Sequence, residues 1–416
     1  MIQWLYQPLQ LHTVSLMLLA LLLLCLMLFA VLWSLWRHNR EALAWFGALS
    51  SVCAVLALFY LVQYEKPEWR QQLYTLVSLQ MWLGPLLYFF TLKMVKPEQA
   101  LPRFWGWHLL PALALALLWW LQWPLAQTDP SLWSCMEDSS CSQSYADRWL
   151  HRLSAWLSIG TYSGLSLQQL HEHHQRLKQQ HSALEHIQLQ WLRLLCQVFI
   201  AAVLLSFGSE LLVLAGFPLY ISGAGIQAFA PLVSLFMLSY FGLRQLPLQL
   251  GTAQQANSSG TAQRAPMPLQ GQDRKYQTSS LTKAAAEQLW QQLLELMQSQ
   301  KPYLEAGLKI AELAQQLEQT PHHVSETING HAGLSFYDFI NNYRVDEAAR
   351  LLLNRKYDHW SVTDVGFQSG FNSNSTFFAQ FKKRLKQTPK QFREQRQQGT
   401  ASYDFAKPED QQWSQS

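Results

Sequence analysis

Near the C-terminus, polar side chains recur at a spacing that lets a helix present them on one face. His322, Ser325, Glu326 and Asn329 stand at i, i+3, i+4 and i+7, so a helix would align them in a single outward stripe. Imidazole, hydroxyl, carboxylate and amide are short groups that donate or accept hydrogen bonds. Further on, Lys382, Lys383, Arg384, Lys386, Lys390, Arg393 and Arg396 crowd a stretch whose only acidic residue is Glu394. Such a basic patch suits a polyanion. The chemistry on offer is recognition rather than bond making. No Gly-rich phosphate loop, zinc-protease motif, or Ser-His-Asp or Cys-His arrangement with recognisable context occurs, so no enzyme, no cofactor and no metal site is expected.

The elements that must carry these residues read as helices from Leu281 to Arg396. The first has Leu289, Leu293, Leu296 and Met297 at helical spacing. Ile310, Leu313, Ala314 and Leu317 share a face of a short second helix. Thr320 and Pro321 then supply an N-cap and a first-turn proline for a third, which turns Val324 and Ile328 inward. Ser335 with Asp338 caps a longer helix running to Asn354, striped with Phe339, Tyr343, Ala348, Leu351 and Leu352. The two-helix pattern then returns. Ser361 with Asp364 caps a helix holding Val362 and Val365, the chain turns through Gly370, and Asn372 or Ser373 caps a helix expected to bury Phe377, Phe378, Phe381 and Leu385. Ile310, Leu313, Ala314 and Thr320 correspond to Val362, Val365, Gly366 and Ser373, with one extra residue in the second turn. This is a repeated helix-turn-helix joined by a long helix. That geometry lays a helix in the DNA major groove, where base edges meet short polar side chains and a following basic run meets phosphates.

Leu308–Arg393 resembles the AraC-type DNA-binding domain of bacterial transcription regulators. The resemblance is carried by "IAELAQQLEQTPHHVS", "NNYRVDEAARLL" and above all "VGFQSGFNSNSTFFAQFKKRLKQTPKQFR". It implies that base reading falls on His322, Ser325 and Glu326 in the first unit, and on Asn374, Ser375, Thr376 and Ala379 in the second. Lys382 and Lys383 match the backbone-contacting end, and Arg384 continues it. This chain departs from the family at Glu326, at the short Ala379, and at Lys386. The last replaces a usual glycine where a left-handed helix cap would strain any other residue.

The N-terminal half has a different character. Hydrophobic residues make up 49% of the chain and charged ones 14%, and charges are sparse between Ala42 and Arg244. A membrane helix needs about 20 mainly apolar residues. Seven stretches qualify: Thr13–Trp36, Ala42–Tyr64, Gln72–Val95, Trp105–Ala126, Trp149–Leu170, Trp191–Ala215 and Ile221–Leu243. One set of loops carries Arg37, Arg40, Lys93, Lys96, Arg103, Arg176, Lys178 and Arg193. The alternate set has only Lys66, Arg70, Arg148 and Arg152. The positive-inside rule then places the N-terminus outside and everything after Leu243 in the cytoplasm. Cys135 and Cys141 share a polar loop on the outer side, where a disulfide between them would persist. Glu210 is the one carboxylate well inside a span, so it must be protonated, paired or facing a cavity. It reads either as an intramembrane sensing group or as a structural group satisfied by Ser206 and Ser209. Gly84-Pro85 marks a kink suited to packing. His171, Glu172, His173, His174, His181 and His186 share one loop, readable as a metal or proton sensor or as a solvated helical extension.

The expected fold is all-α: a seven-helix transmembrane bundle (residues 1–247), a flexible linker (248–280), a domain of two helix-turn-helix units joined by a long helix (281–397), and a disordered tail (398–416). A linker of that composition separates its ends by about 30 Å. The function expected is a one-component transcription regulator in the bacterial inner membrane, multi-pass, with a periplasmic N-terminus and a cytoplasmic DNA-binding domain. Its partners would be double-stranded promoter DNA, the lipid bilayer, an unidentified ligand, a second copy of the chain and, by resemblance, RNA polymerase. The competing reading is a membrane receptor or transporter whose helical tail binds a protein.

Overall fold

The structure, a computed structural model, describes residues 40–65, 74–97, 99–118, 142–184, 189–217, 233–234, 236–237, 240 and 281–397. The first expected span, Cys135 and Cys141, His186, the linker and the C-terminal tail lie outside them. Among the described residues there is no strand, only an isolated antiparallel bridge between His181 and Lys309. The chain divides into two compact units. One comprises Met1–His171 with Leu189–Gln263, and the other Glu172–Gln188 with Arg264–Ser416.

In the first unit, helices α1 (Arg40–Glu65), α2 (Gln80–Val95), α3 (Ser142–Gln180, its last turns in the second unit) and α4 (Gln190–Leu214) surround an apolar core. Phe46, Leu49, Cys53, Leu56, Leu87, Phe90, Leu195, Cys196 and Phe199 are buried in it. Two of the seven expected spans are both long and apolar enough among the described residues, Ala42–Phe59 and Gln190–Leu212. The third is interrupted: a 3-10 turn, Tyr74–Leu79, precedes α2 and leaves only 16 residues of regular helix. The fifth lies within α3, whose 39 residues run on into a His- and Gln-rich end. Gly84 is a packing position. A Cβ there would stand 2.7 Å from the Ser158 carbonyl oxygen, while the Ser158 hydroxyl donates to the Met81 carbonyl at 2.7 Å. Helices α2 and α3 therefore touch backbone to backbone.

Glu210 is paired. Its carboxylate lies 2.5 Å from Arg152 Nη1, while the Ser209 hydroxyl donates to the Ser206 carbonyl. Its partner thus comes from the neighbouring helix α3, from an arginine that the sequence placed among loop cations.

The second unit contains α5 (Lys283–Ser299), α6 (Ile310–Gln316), α7 (Pro321–Ala332), α8 (Phe336–Leu353), α9 (Val362–Gln368), α10 (Asn374–Leu385) and α11 (Pro389–Gln397). Local sequence chemistry sets their starts. The hydroxyls of Thr320, Ser335, Ser361 and Ser373 each accept a backbone N–H three residues on, meeting donors the helix cannot meet itself. Ser361 and Asp364 form a full capping box. Two cores follow. Leu293, Met297, Leu313, Val324, Ile328, Phe336, Phe339 and Ile340 form the first. Val345, Ala348, Leu352, Val365, Phe371, Phe377, Phe381 and Phe392 form the second. Helix α8 contributes its N-terminal half to one and its C-terminal half to the other.

Candidate nucleic-acid interface

The two helix-turn-helix units match in sequence register, apart from one extra residue in the second turn. Helices α6 and α9 each have 7 residues, and α7 and α10 each have 12. The turn of the first unit holds Glu318 at φ 52, and the turn of the second holds Gly370 at φ 89. Helix α7 ends on left-handed Gly333 at φ 66, and α10 on left-handed Lys386 at φ 58. Lys386 therefore adopts the cap that a glycine would take without cost. The glycine preference is met by a residue that costs about 1 kcal/mol more in that conformation.

Within each unit the second helix keeps one side on the core and turns the other outward. On α7, His322, Glu326 and Asn329 are exposed and Ser325 is half-buried. On α10, Asn374, Ser375, Ala379 and Lys382 are exposed and Thr376 is half-buried, the Thr376 N–H being held by the Ser373 cap. The repeat register places Phe378 where Ser325 stands. Phe378 was expected in the core but is 37% exposed, whereas Phe377 and Phe381 are fully buried. The reason is helical phase: 377, 381 and 385 are spaced by four and share a stripe, and 378 is a further 100° round the helix. The outward stripe of α10 thus includes an aromatic ring that reading by residue type assigned to the interior. The step of four from 374 to 378 to 382 was the available signal.

The basic run is not uniform. Arg384 is held bidentately by Asp346 of α8, at 2.8 and 2.7 Å. Lys383 donates to Asp338 of the same helix at 2.9 Å. Arg396 lies 2.6 Å from Asp358, and Arg393 donates to the Trp360 carbonyl at 2.8 Å. Lys382 and Lys386 are exposed. Burial raises the Asp338 pKa, but hydrogen bonds from Ser335 and Lys383 and the charges of Lys383 and Lys178 outweigh it, leaving the carboxylate below its ordinary value. Gln380 also reaches the Tyr337 hydroxyl at 3.3 Å. One side of α10 is therefore latched to the linker helix, and the other is presented outward.

A short helix, a tight turn with one left-handed residue, and a second helix with one side turned outward, occurring twice, define a double helix-turn-helix domain. Residues 313–395 match the family described as a helix-turn-helix domain, and the C-terminal region carries that domain in its AraC-type form. Similar proteins include two uncharacterised HTH-type transcriptional regulators of Staphylococcus aureus. One is 31% identical over 103 residues, 24% of this chain and 13% of the relative. The other is 33% identical over 86 residues, 21% and 11% respectively. The transcriptional regulatory protein HptR of Staphylococcus aureus is 26% identical over 92 residues, 22% of this chain and 35% of HptR. The likeness covers a quarter of this chain or less, and this chain spans well under two thirds of those relatives. No solved structure matches.

Proposed function

We propose that the chain is a membrane-tethered, one-component transcription regulator. It binds promoter DNA through two helix-turn-helix units and uses its N-terminal bundle as sensor or anchor. The observation that carries the DNA reading is the register identity of the two units, which offers equivalent outward stripes on α7 and α10. In this reading His322, Ser325, Glu326 and Asn329 face bases in one major-groove segment. Asn374, Ser375, Thr376, Phe378 and Ala379 face those in another, and Lys382 meets phosphate. Lys383, at the surface, and Arg384, mostly buried, act by fixing α10 to α8.

The membrane reading draws support from α4, which exposes many leucines. Leu194, Leu204, Leu205, Leu211, Leu212 and Leu214 are all exposed on it, an apolar surface that water does not favour and lipid does. The inner membrane, an outer N-terminus and a linker of residues 248–280 complete the arrangement. Confining the domain near the bilayer raises its effective concentration at nearby sites. The Arg152–Glu210 pair is where an outer ligand would compete for charge within the bundle.

The test uses the full chain in lipid nanodiscs, mixed with sheared DNA from the source genome and washed at rising salt. Retention of a few discrete fragments is expected, with an affinity that falls linearly against log salt. Retention of no fragment above empty discs would sink the DNA reading and leave the protein-partner reading in its place.

A further inference from the structure

Helix α8 changes cores midway, from Ile340 to Val345, and Arg344 stands at the crossing. It is 1% exposed. A buried guanidinium is tolerated only where its five donors are met. Nε donates to the Tyr303 carbonyl and Nη2 to the Glu305 carbonyl, both at 2.7 Å, in the segment between α5 and α6. The ring of Phe371, from the turn of the second unit, lies 6.0 Å from the guanidinium carbon. The Tyr303 carbonyl oxygen is also what a Cβ on Gly370 would strike, at 2.5 Å. One arginine thus ties the approach to the first unit to the turn of the second.

Arg344 Nη1 also donates to Asn341 Oδ1 at 3.4 Å and Nη2 to the Ala306 carbonyl at 3.5 Å, and two further bonds go to a segment 162 residues away in sequence. Nη1 donates to the Ser182 carbonyl at 3.2 Å and Nη2 to the Ser182 hydroxyl at 3.0 Å. Asn341, fully buried, donates to the same carbonyl at 3.3 Å. Ser182 in turn donates to the Leu308 carbonyl through its N–H at 3.2 Å and its hydroxyl at 2.7 Å. His181 bridges to Lys309, and the Lys178 ammonium lies 5.9 Å from the Tyr337 ring centre. Ser182 and Leu184 are buried. This is the loop that the sequence offered as a solvated extension or a sensor. It belongs instead to the same compact unit as the helix-turn-helix repeat.

We propose that Lys178–Leu184 is a strap that forms an integral part of the DNA-binding domain. By completing the hydrogen bonding of Arg344 at their junction, it positions the two helix-turn-helix units relative to each other. The inference rests on the DNA-binding reading above. Two helices entering one face of DNA must keep a spacing near one helical turn, about 34 Å, so a junction whose guanidinium had lost its Ser182 acceptors would blur that spacing before it unfolded either unit. The strap prolongs α3, which begins at Ser142.

The test uses full chain in nanodiscs, with Ser182→Pro to remove the strap N–H and Ser182→Ala as the milder variant should the first fail to fold. Amide exchange is read in residues 178–184, α7 and α10. Affinity is read on random-sequence duplexes, one long enough for both units and one of about 10 base pairs that holds one unit. The expected result has three parts. The wild-type strap amides are protected, and Ser182→Pro exchanges there about tenfold faster while α7 and α10 stay protected. The variant loses about threefold or more in affinity on the long duplex and nothing on the short one. A wild-type strap exchanging at free-peptide rate, or a variant binding the long duplex unchanged or tighter, overturns the proposal. A protected strap in a chain that binds neither duplex would mean instead that the DNA-binding reading has failed, and with it this role for the strap.

Discussion

Individual side chains in the basic run divide by what they touch. Arg384 makes a bidentate pair with Asp346 at positions roughly one-fifth exposed, and charge-assisted bonds in that setting are worth about 1–3 kcal/mol. Arg384→Ala should therefore lower the melting temperature of the domain and leave the salt slope of DNA binding unchanged. Lys382→Ala should do the reverse, lowering the slope by about 1 with no loss of stability. Calorimetry and anisotropy titrations on the same two variants separate the roles. If Arg384→Ala alone reduced the slope, its assignment to the domain interior would be wrong. Phe378 offers an apolar face, the kind of group that reads a thymine methyl. Phe378→Ala should relax the preference for thymine at one position of the selected DNA by about 1 kcal/mol, measurable by sequencing the bound pool.

The elements are joined through their ends. Helix α7 closes on Gly333 and α10 on Lys386, both left-handed. Lys386→Gly should raise stability by about 1 kcal/mol, since glycine takes that conformation freely, and denaturant midpoints would show it. A fall in midpoint would mean that the lysine stem contributes packing larger than the strain. Close approaches fix the second unit as well. A Cβ on Gly366 would stand 2.6 Å from the Phe377 ring, where the first unit carries Ala314. The second core is thus the more tightly closed of the two at that point, and it owes this to one absent methyl group.

At the scale of the molecule, the strap makes one compact unit from two distant stretches of chain, and two histidines of the shorter stretch, His173 before the strap and His181 within it, give that unit a pH dependence. Burial lowers the pKa of His181 below 6.5, with Lys309 adding to the shift and Glu312 opposing it. Burial and then Arg176 lower that of His173. Below 6.5 the unfolded chain takes up protons that the folded strap resists, so stability rises with pH across that window. The contribution is complete above 6.5 and is lost as pH falls through the folded values. The carboxylates of Asp338 and Glu347, both held below their ordinary range, contribute a similar loss only at more acidic pH. Strap amides should therefore exchange faster at pH 5.5 than at 7.5 after correction for intrinsic rates. His181→Gln should flatten most of that difference, and an unchanged profile would remove His181 as its source.

The sequence alone determined whatever depends on near neighbours. Thr320, Ser335, Ser361 and Ser373 cap helices because each hydroxyl meets an N–H three residues away. The repeat was visible because both units use the same apolar spacing, and the outward faces of α7 and most of α10 follow from the same periodicity. What depends on distant chain was not legible. No local pattern couples Arg384 to Asp346, Glu210 to Arg152, or Ser182 to Arg344, because each pair meets only when separate helices pack. A polar, His-rich stretch looks solvated until a buried guanidinium needs the carbonyl and hydroxyl of its Ser182. Tertiary structure decided which charges serve the fold and which face outward, since a side chain's partner is set by position in space while its capacity to bond is set by its type.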